Sequence, residues 1–210
     1  QSNQNDQHGG QSIPNFDYAM AEGIKKTYKH LYKENIVRGI GFKAGKTDPS
    51  EIERSVKAYM DKLAEENIFP TLADELGFCE RERKYLTEIT GDEKLAANIQ
   101  EYTKKLTFKE TDRATYQAME ALVHNLNTMN SRAGAQTPFS SINYGTDTSI
   151  EGQMVIKNIL LAEEAGLGNG ETPIFPIHIF KVKEGINYNE GDPNYNLFKL
   201  ACRVSAKRLF

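Results

Sequence analysis

Cysteine is scarce in this sequence, and long apolar runs are missing. The two cysteines, Cys79 and Cys202, are too few for a disulfide framework, which indicates a reducing, cytoplasmic setting. No stretch approaches the roughly 18 apolar residues that a membrane span needs. The polar stretch from Gln1 to Gly10 also lacks the apolar core of a signal peptide. We therefore expect neither a secreted nor a membrane-embedded protein.

Strong charge of one sign is also lacking. The chain has 26 basic and 29 acidic residues and a net charge of −3, so it has no basic footprint for DNA or RNA. Its four histidines are scattered without metal-ligand spacing, and there is no C-x-x-C motif. We expect no nucleic-acid partner and no metal site within this chain.

Two glycine-containing runs resemble nucleotide-binding motifs but fail their requirements. Gly45-Lys46-Thr47 ends like a P-loop, yet the position five residues before Gly45 is Ile40 instead of glycine. The run Gly166–Gly170 follows a predicted helix, whereas a dinucleotide fingerprint must follow a strand and open a helix. We interpret the first as a loop and the second as a helix end with a turn.

Residues 16–131 are predicted to be mainly helical, after a strand or ordered loop over residues 1–15. Apolar residues at helical spacing favour a first helix from Phe16 to about Glu34. Residues 36–47 contain glycine and lysine and are predicted to be a connection. Asp48-Pro49 is then a strong helix start, because an aspartate cap precedes proline at the first helical position.

Two T-x-x-E capping boxes predict further helix starts within this region, at Thr90 to Glu93 and at Thr107 to Glu110. The second box is predicted to open a long helix with an apolar stripe.

Both ends of the chain look internal to a longer sequence, since it begins without Met and stops within a helical pattern. We therefore expect a segment of a longer protein.

Residues 132–210 are predicted to form a βαβ unit plus a helix. Thr137–Tyr144 and Thr172–Val182 read as strands, and a capping box at Thr148 opens an almost entirely apolar helix between them that ends at Gly166. Asp192-Pro193 is predicted to cap the last helix. Strands joined by a crossover helix should be parallel with a right-handed connection. The expected class is α/β with a large helical excursion, forming part of a barrel.

Two polar stretches stand out from this pattern. The first is HGGQSIP at residues 8–14, and the second is the strand with its approach, residues 131–145. A buried strand of a parallel sheet usually consists of Val, Ile and Leu, yet this strand carries Ser140, Ser141 and Asn143. Its polar side chains must be hydrogen-bonded, either to a polar ligand or within an internal network. The residues alone leave both interpretations open.

Four long runs resemble the anaerobic (class III, glycyl-radical) ribonucleotide reductases, in the family's order and across essentially the whole chain. They are HGGQSIPNFDYAM, NTMNSRAGAQTPFSSINYGTDTS, AGLGNGETPIFPIHIFKVKEG and DPNYNLFKLACRVSAKR. The helical stretch 36–107 matches less distinctly. The resemblance implies a ten-stranded α/β barrel made of two parallel halves, with this chain in the first half and in the helices of a homodimer interface.

The resemblance also implies a chemistry and a set of partners. A glycyl radical, installed by an iron–sulfur activase that uses S-adenosylmethionine, generates a thiyl radical that starts reduction of a ribonucleoside triphosphate, usually with formate. ATP or a deoxynucleotide acts as effector at the dimer interface. The thiyl cysteine, the radical glycine and a zinc site do not match residues of this chain. We therefore expect no catalytic residue and no cofactor here, and an inactive isolated segment.

Five positions are assigned to the effector nucleotide. The resemblance places Gln7 and Phe139 at effector-contacting positions, where the ring would stack on the base and the amide would bind its edge. Arg38, Lys43 and Lys46 are assigned to its phosphates with weaker motif support.

Five further positions are assigned to the barrel lining on the substrate side, namely Gly9, Gly10, Ser140, Ser141 and Asn143. Asn130 stands where family members often have histidine and receives no role.

Two alternatives to an enzyme segment stay open. One is a non-catalytic module for nucleotide binding and dimerisation, and the other is a helical interaction protein, which the polar strand disfavours.

Overall fold

The computed structural model describes residues 9–45, 48–74, 77–128, 137 and 139–209. These residues form six helices and a three-stranded parallel sheet. In chain order the elements are β1 (Gln11–Ile13), α1 (Phe16–Ala44), α2 (Pro49–Glu65), α3 (Phe78–Thr90), α4 (Glu93–Thr128), β2 (Ser140–Tyr144), α5 (Ile150–Ala165), β3 (Ile177–Phe180) and α6 (Tyr195–Arg208).

The chain divides into two compact units. The sheet unit consists of Gln1–Glu22 and Asp112–Phe210, and the helical unit consists of Gly23–Thr111. Each unit has its own buried side chains.

The sheet has β2 in its centre, with β1 and β3 on either side. Ser12 lies opposite Ser141, and Asn143 lies opposite Ile179. Strands β2 and β3 are parallel and α5 connects them, which confirms the predicted βαβ unit. The structure is thus compatible with an α/β fold with a helical excursion.

Helix α5 covers one face of the sheet. As its nearly continuous apolar sequence predicts, it is buried on most sides, with Val155, Ile156 and Ile159 fully enclosed. Its N-cap is Ser149, whose hydroxyl accepts the N–H of Gly152 at 3.0 Å, so the cap lies one residue after the predicted Thr148. The helix ends before Gly166 as predicted.

The helical unit is held by two apolar clusters of buried residues. One joins α1 to α2, α3 and α4, and the other joins α1 to α2 and α3. Their members are Ile36, Ile40, Ile52, Val56, Leu86, Ala96 and Ile99 in the first, and Tyr28, Tyr32, Leu63 and Phe78 in the second. Helix α2 starts as predicted, because the Asp48 carboxylate accepts the N–H of Ser50 at 3.0 Å.

The predicted connection at residues 36–47 is wrong for most of its length, because α1 continues to Ala44. Ile36 and Ile40 are fully buried there, and that burial offsets the poor helix propensity of the neighbouring glycines. Gly39 lets α4 approach closely, since a Cβ at this position would lie only 3.0 Å from the Thr103 hydroxyl. Tertiary contact therefore overrides the local sequence signal.

The predicted helix start at Thr107 is also wrong, because α4 runs without interruption from Glu93 to Thr128. The Thr107 hydroxyl is buried and donates to the carbonyl of Thr103 within the helix. At the true start, Asp92 accepts the N–H of Lys94 at 2.8 Å, while the Thr90 hydroxyl donates back to Leu86. A T-x-x-E pattern thus does not distinguish a cap from a helix interior.

Strand β3 is shorter than its predicted range. The residues before it bind another element, since Asn127 on α4 accepts the N–H groups of Ile174 and Phe175 at 2.8 and 3.1 Å. Helix α6 begins at Tyr195 after the Asn194 cap position, two residues beyond the predicted Pro193.

Candidate functional site at the open face and carboxyl edge of the sheet

The sheet has one face that the described residues leave open. Alternation along the strands puts Ser12, Ser141 and Asn143 on this face, together with Ile177 and Ile179. The two isoleucines are 41% and 43% exposed, and the Ser12 hydroxyl donates to the Asn143 side-chain oxygen at 3.4 Å. The open face is therefore polar over β1 and β2 and apolar over β3.

Ser140 lies on the opposite, helix-covered face. It is 1% exposed and shares that face with Ile142 and Tyr144. Ser140, which was assigned to the barrel lining with Ser141 and Asn143, thus lies on the other face of β2 from these two residues, because successive side chains of a strand point to opposite faces.

The paired glycines before β1 have different surroundings. Gly9 adopts a left-handed conformation, with φ of 73°, and is exposed. A Cβ on Gly10 would lie 3.4 Å from the Phe139 ring, which is an ordinary van der Waals distance. The two residues thus lie at the amino end of the strands, where Gly10 is a neighbour of Phe139.

The loop after β2 is held by one carboxylate. The Asp17 side chain, 1% exposed at the start of α1, accepts the backbone N–H groups of Gly145, Thr146 and Asp147 at 2.9, 3.0 and 3.0 Å on one oxygen. Its other oxygen accepts the N–H of Tyr18. Charge-assisted bonds of this kind are roughly twice as strong as neutral ones.

The carbonyl groups of the same loop are also bound by side chains. Asn187 donates to Gly145, the Tyr18 hydroxyl donates to Thr146, and Asn194 donates to both Gly145 and Asp147. Each N–H and each C=O of residues 145–147 therefore has a side-chain partner. These bonds fix an irregular segment that has no regular secondary structure of its own.

The ends of the outer strands are tied together at the same edge. The Lys181 ammonium, just after β3, donates to the Pro14 carbonyl and to the Asn15 side chain, just after β1. The carboxyl edge of the sheet is thus cross-linked over all three strands.

A buried polar chain lies beneath the sheet. The Tyr144 hydroxyl is 2.7 Å from His178 Nδ1, and His178 Nε2 is 3.3 Å from Glu163 Oε2 on α5. Burial raises the pKa of Tyr144 well above its usual value, so the phenol keeps its proton and can donate it to Nδ1. Nε2–H then faces Glu163. Alternation along the two strands puts Tyr144 and His178 on the same face of the sheet. This was the signal in the sequence for their contact, and we assigned His178 no role from it.

The positions predicted to bind an effector are distributed over both units. Phe139, in the sheet unit, is 53% exposed and makes an edge-to-face contact with Phe175 at 5.1 Å. Arg38 and Lys43 belong to the helical unit. The Arg38 guanidinium binds Glu110 at 3.2 Å. Gln7 and Lys46 lie outside the described residues.

Lys43 lies against aromatic rings. Its ammonium is 5.7 Å from the centre of the Phe42 ring and 5.6 Å from that of Tyr102. Arg38 and Lys43 thus each have a partner within the protein, which a phosphate would have to replace or share.

A second buried carboxyl group lies in the helical unit. Glu82 on α3 is fully buried, and its Oε2 accepts the Tyr32 hydroxyl at 2.8 Å and the Gln100 amide at 2.7 Å. Its Oε1 has no hydrogen-bonding partner among the described residues. Burial raises the pKa of Glu82 to about 7, although the bonds from Gln100 and Tyr32 lower it.

The two cysteines lie in different units. Cys79 lies in the helical unit, where burial raises the pKa of its thiol to about 11, and Cys202 is exposed on α6. Within the described ranges, no group of three or more His, Cys, Asp or Glu side chains could hold a metal ion. The helices described here include none that is both long and apolar enough to cross a bilayer.

Comparison with known proteins identifies the family. A family model described as anaerobic ribonucleoside-triphosphate reductase matches residues 1–210, the whole chain. The chain belongs to this family. The resemblance inferred from the four sequence runs is thereby confirmed.

Curated relatives carry the same description. The anaerobic ribonucleoside-triphosphate reductase of Escherichia coli is 34% identical over 122 residues, which are 58% of this chain and 16% of that protein. The enzyme of phage T4 is 40% identical over 102 residues, which are 48% of this chain and 17% of that protein. The aligned part thus spans about a sixth of each relative.

Proposed function

We propose that this chain is the central segment of an anaerobic ribonucleoside-triphosphate reductase, which reduces ribonucleoside triphosphates to 2′-deoxyribonucleoside triphosphates. The family match over all 210 residues carries this proposal. The reductant is formate, and the reaction runs through a thiyl radical generated by a glycyl radical. An iron–sulfur activase that uses S-adenosylmethionine installs the glycyl radical.

In this proposal the three strands of the sheet belong to the first half of a ten-stranded barrel. Its open face supports that assignment, because a parallel sheet is normally covered on both faces. In the barrel the open face points inward, and the Ser12, Ser141 and Asn143 side chains meet the hydroxyl groups of the substrate. These residues supply hydrogen-bond donors and acceptors suited to a ribose.

In this proposal the two cysteines of the chain take no part in the radical chemistry. Cys79 lies in the helical unit, and Cys202 lies on α6. We assign the thiyl cysteine, the radical glycine and the zinc site to other parts of the enzyme. The task of this segment is to bind and orient the nucleotide.

Effector binding by a homodimer is the second part of the proposal. Phe139 offers a half-exposed ring for stacking on a base, supported by its contact with Phe175. Gln7 would bind the edge of that base, and Arg38, Lys43 and Lys46 would bind its phosphates.

The two faces of β2 provide the test. In the full-length reductase, Ser141→Ala removes a hydroxyl from the open face, whereas Ser140→Ala removes one from the helix-covered face. A lost hydrogen bond of about 0.5–1.5 kcal/mol predicts a roughly 2- to 12-fold rise in KM for the ribonucleoside triphosphate in Ser141→Ala.

Ser140→Ala should leave KM unchanged, although its melting temperature can fall because the site is buried. Equal KM values for both variants and the wild type would contradict the assignment of the open face to the substrate.

A further inference from the structure

The segment Gly145–Asp147, here called the β2 loop, is irregular backbone at the carboxyl edge of the sheet, and side chains bind each of its N–H and C=O groups. Four side chains hold it, from Asp17, Tyr18, Asn187 and Asn194. They come from the start of α1 and from the segment before α6. A connection that merely joined β2 to α5 could leave these polar groups to solvent.

Steric constraints add to the hydrogen bonds. Gly145 has φ of 122°, and a Cβ there would lie 2.9 Å from the Lys181 carbonyl, so only glycine fits. Gly152 is likewise required, because a Cβ there would lie 2.2–2.5 Å from atoms of the Asp147 side chain. The loop therefore has one backbone conformation that its neighbours enforce.

The position of the β2 loop is the one at which α/β proteins bind ligands. Parallel α/β folds, barrels included, bind ligands at the carboxyl ends of their strands, and β2 is the central strand of this sheet. Gly145 has no side chain, and the buried Asp147 side chain accepts the N–H of Ser149 at 2.9 Å. Thr146 is half-buried and carries the accessible polar side chain of the loop.

We propose that Asp17 is a positioning residue for the nucleotide site, because its buried carboxylate binds the three N–H groups that set the conformation of the β2 loop. Through the loop, Asp17 fixes the Thr146 side chain at the carboxyl edge where the ribonucleoside triphosphate binds. This inference rests on the proposed function. Besides the open-face residues, the nucleotide would then contact Thr146, whose position depends on the Asp17 carboxylate.

The substitution Asp17→Asn tests the inference in the full-length reductase. Asparagine has the same size but lacks the charge, and one of its two acceptor oxygens is replaced by a donor. Hydrogen exchange of the peptide that covers residues 144–149 should accelerate at least tenfold. The KM for the ribonucleoside triphosphate should rise about tenfold, with a smaller change in kcat.

The matched control is Asp112→Asn, a substitution of the same type in the same unit. Asp112 accepts the Asn158 amide at 2.8 Å and pairs with Lys157 at 2.6 Å, and neither partner belongs to the β2 loop. This variant should lose some stability but keep the KM of the wild type and the exchange rate of the loop.

Two further variants keep the test decisive. Thr146→Val removes a hydroxyl and keeps the side-chain shape, so it should raise KM without accelerating loop exchange. Tyr18→Phe removes one bond to the loop from a side chain that is 49% exposed, so it should fold even if Asp17→Asn does not. It should accelerate exchange and raise KM by a factor of about two to five.

The inference is overturned if Asp17→Asn and Tyr18→Phe accelerate exchange while KM stays at the wild-type value, or if neither of them changes exchange in the loop. An unchanged KM in Thr146→Val also contradicts it. A wild-type enzyme that forms no deoxynucleotide would instead refute the proposed function, and the exchange measurement would still decide whether Asp17 fixes the loop.

Discussion

The buried Glu82 carboxyl group should make the stability of the chain depend on pH. Its pKa is raised from 4.5 in the unfolded chain to about 7 in the folded protein, chiefly because burial disfavours the charged form. The folded state therefore binds one more proton than the unfolded state between these pH values. The stabilising contribution is fully present below about pH 4.5 and is lost as the pH rises through 7.

The size of the effect follows from the pKa difference. About 2.5 units at 1.36 kcal/mol each correspond to roughly 3 kcal/mol over the full range, and to about 2–3 kcal/mol between pH 5 and pH 8. Gln100, Tyr32 and Lys104 favour the charged form and reduce the shift, whereas Asp74 increases it. A change of this size is a large part of the stability of a typical domain.

Glu82→Gln removes the titration and keeps the shape. The amide oxygen can still accept from Tyr32 and Gln100, so the variant should fold, and the Glu82 contribution to the pH dependence should vanish. Urea denaturation followed by circular dichroism at pH 5, 6, 7 and 8 gives the free energy of unfolding for both proteins. We expect the variant to gain about 2–3 kcal/mol relative to the wild type between pH 5 and pH 8.

Glu80→Gln is the control, since Glu80 is exposed on the same helix and pairs with Lys84 at 2.8 Å. This variant should keep the pH dependence of the wild type. Parallel stability curves for Glu82→Gln and the wild type would refute the reasoning, because they would show that Glu82 titrates alike in both states.

Three further predictions concern the sheet unit and the isolated chain. Phe139→Leu should weaken dATP or dTTP binding in the full-length enzyme about 2- to 12-fold, because stacking contributes roughly 0.5–1.5 kcal/mol. Calorimetric titration measures the affinity, and an unchanged affinity in an equally stable variant would make Phe139 a packing residue. Tyr144→Phe should lower the free energy of unfolding by about 1–3 kcal/mol, since the buried His178 Nδ1 loses its hydrogen bond from the phenol, whereas Tyr188→Phe at an exposed position should change it little. The isolated 210-residue chain, supplied with activase and formate, should form no deoxynucleotide, and product formation would show that it contains the radical groups.

Those parts of the fold that depend on local periodicity could be predicted from the sequence. The parallel strands and the buried helix α5 followed from the change of period after residue 131 and from the capping box at Thr148 that opens an almost entirely apolar helix. The extension of α1 could not be predicted, because Gly39 and Gly41 read locally as a loop. The close approach of α4 to Gly39 is a tertiary contact that no local pattern contains.

The candidate site was predictable only in part for the same reason. The polar residues of β2 were visible, and alternation along the strand separates Ser140 from Ser141 and Asn143, but which of the two faces is buried depends on tertiary packing. The binding of the β2 loop by Asp17 joins residues about 130 positions apart, and Asn194 lies almost 50 positions beyond the loop. Single-sequence patterns carry no signal for such pairs.

Turnover by the full-length enzyme tests the central proposal most directly. The protein that contains this segment should be activated without oxygen by its activase and S-adenosylmethionine, and then supplied with radiolabelled CTP in the presence and absence of formate. We expect dCTP to form with formate, and to form more slowly at low CTP concentration in Ser141→Ala and Asp17→Asn. A protein that carries its glycyl radical and still forms no deoxynucleotide from any ribonucleoside triphosphate would contradict the proposal.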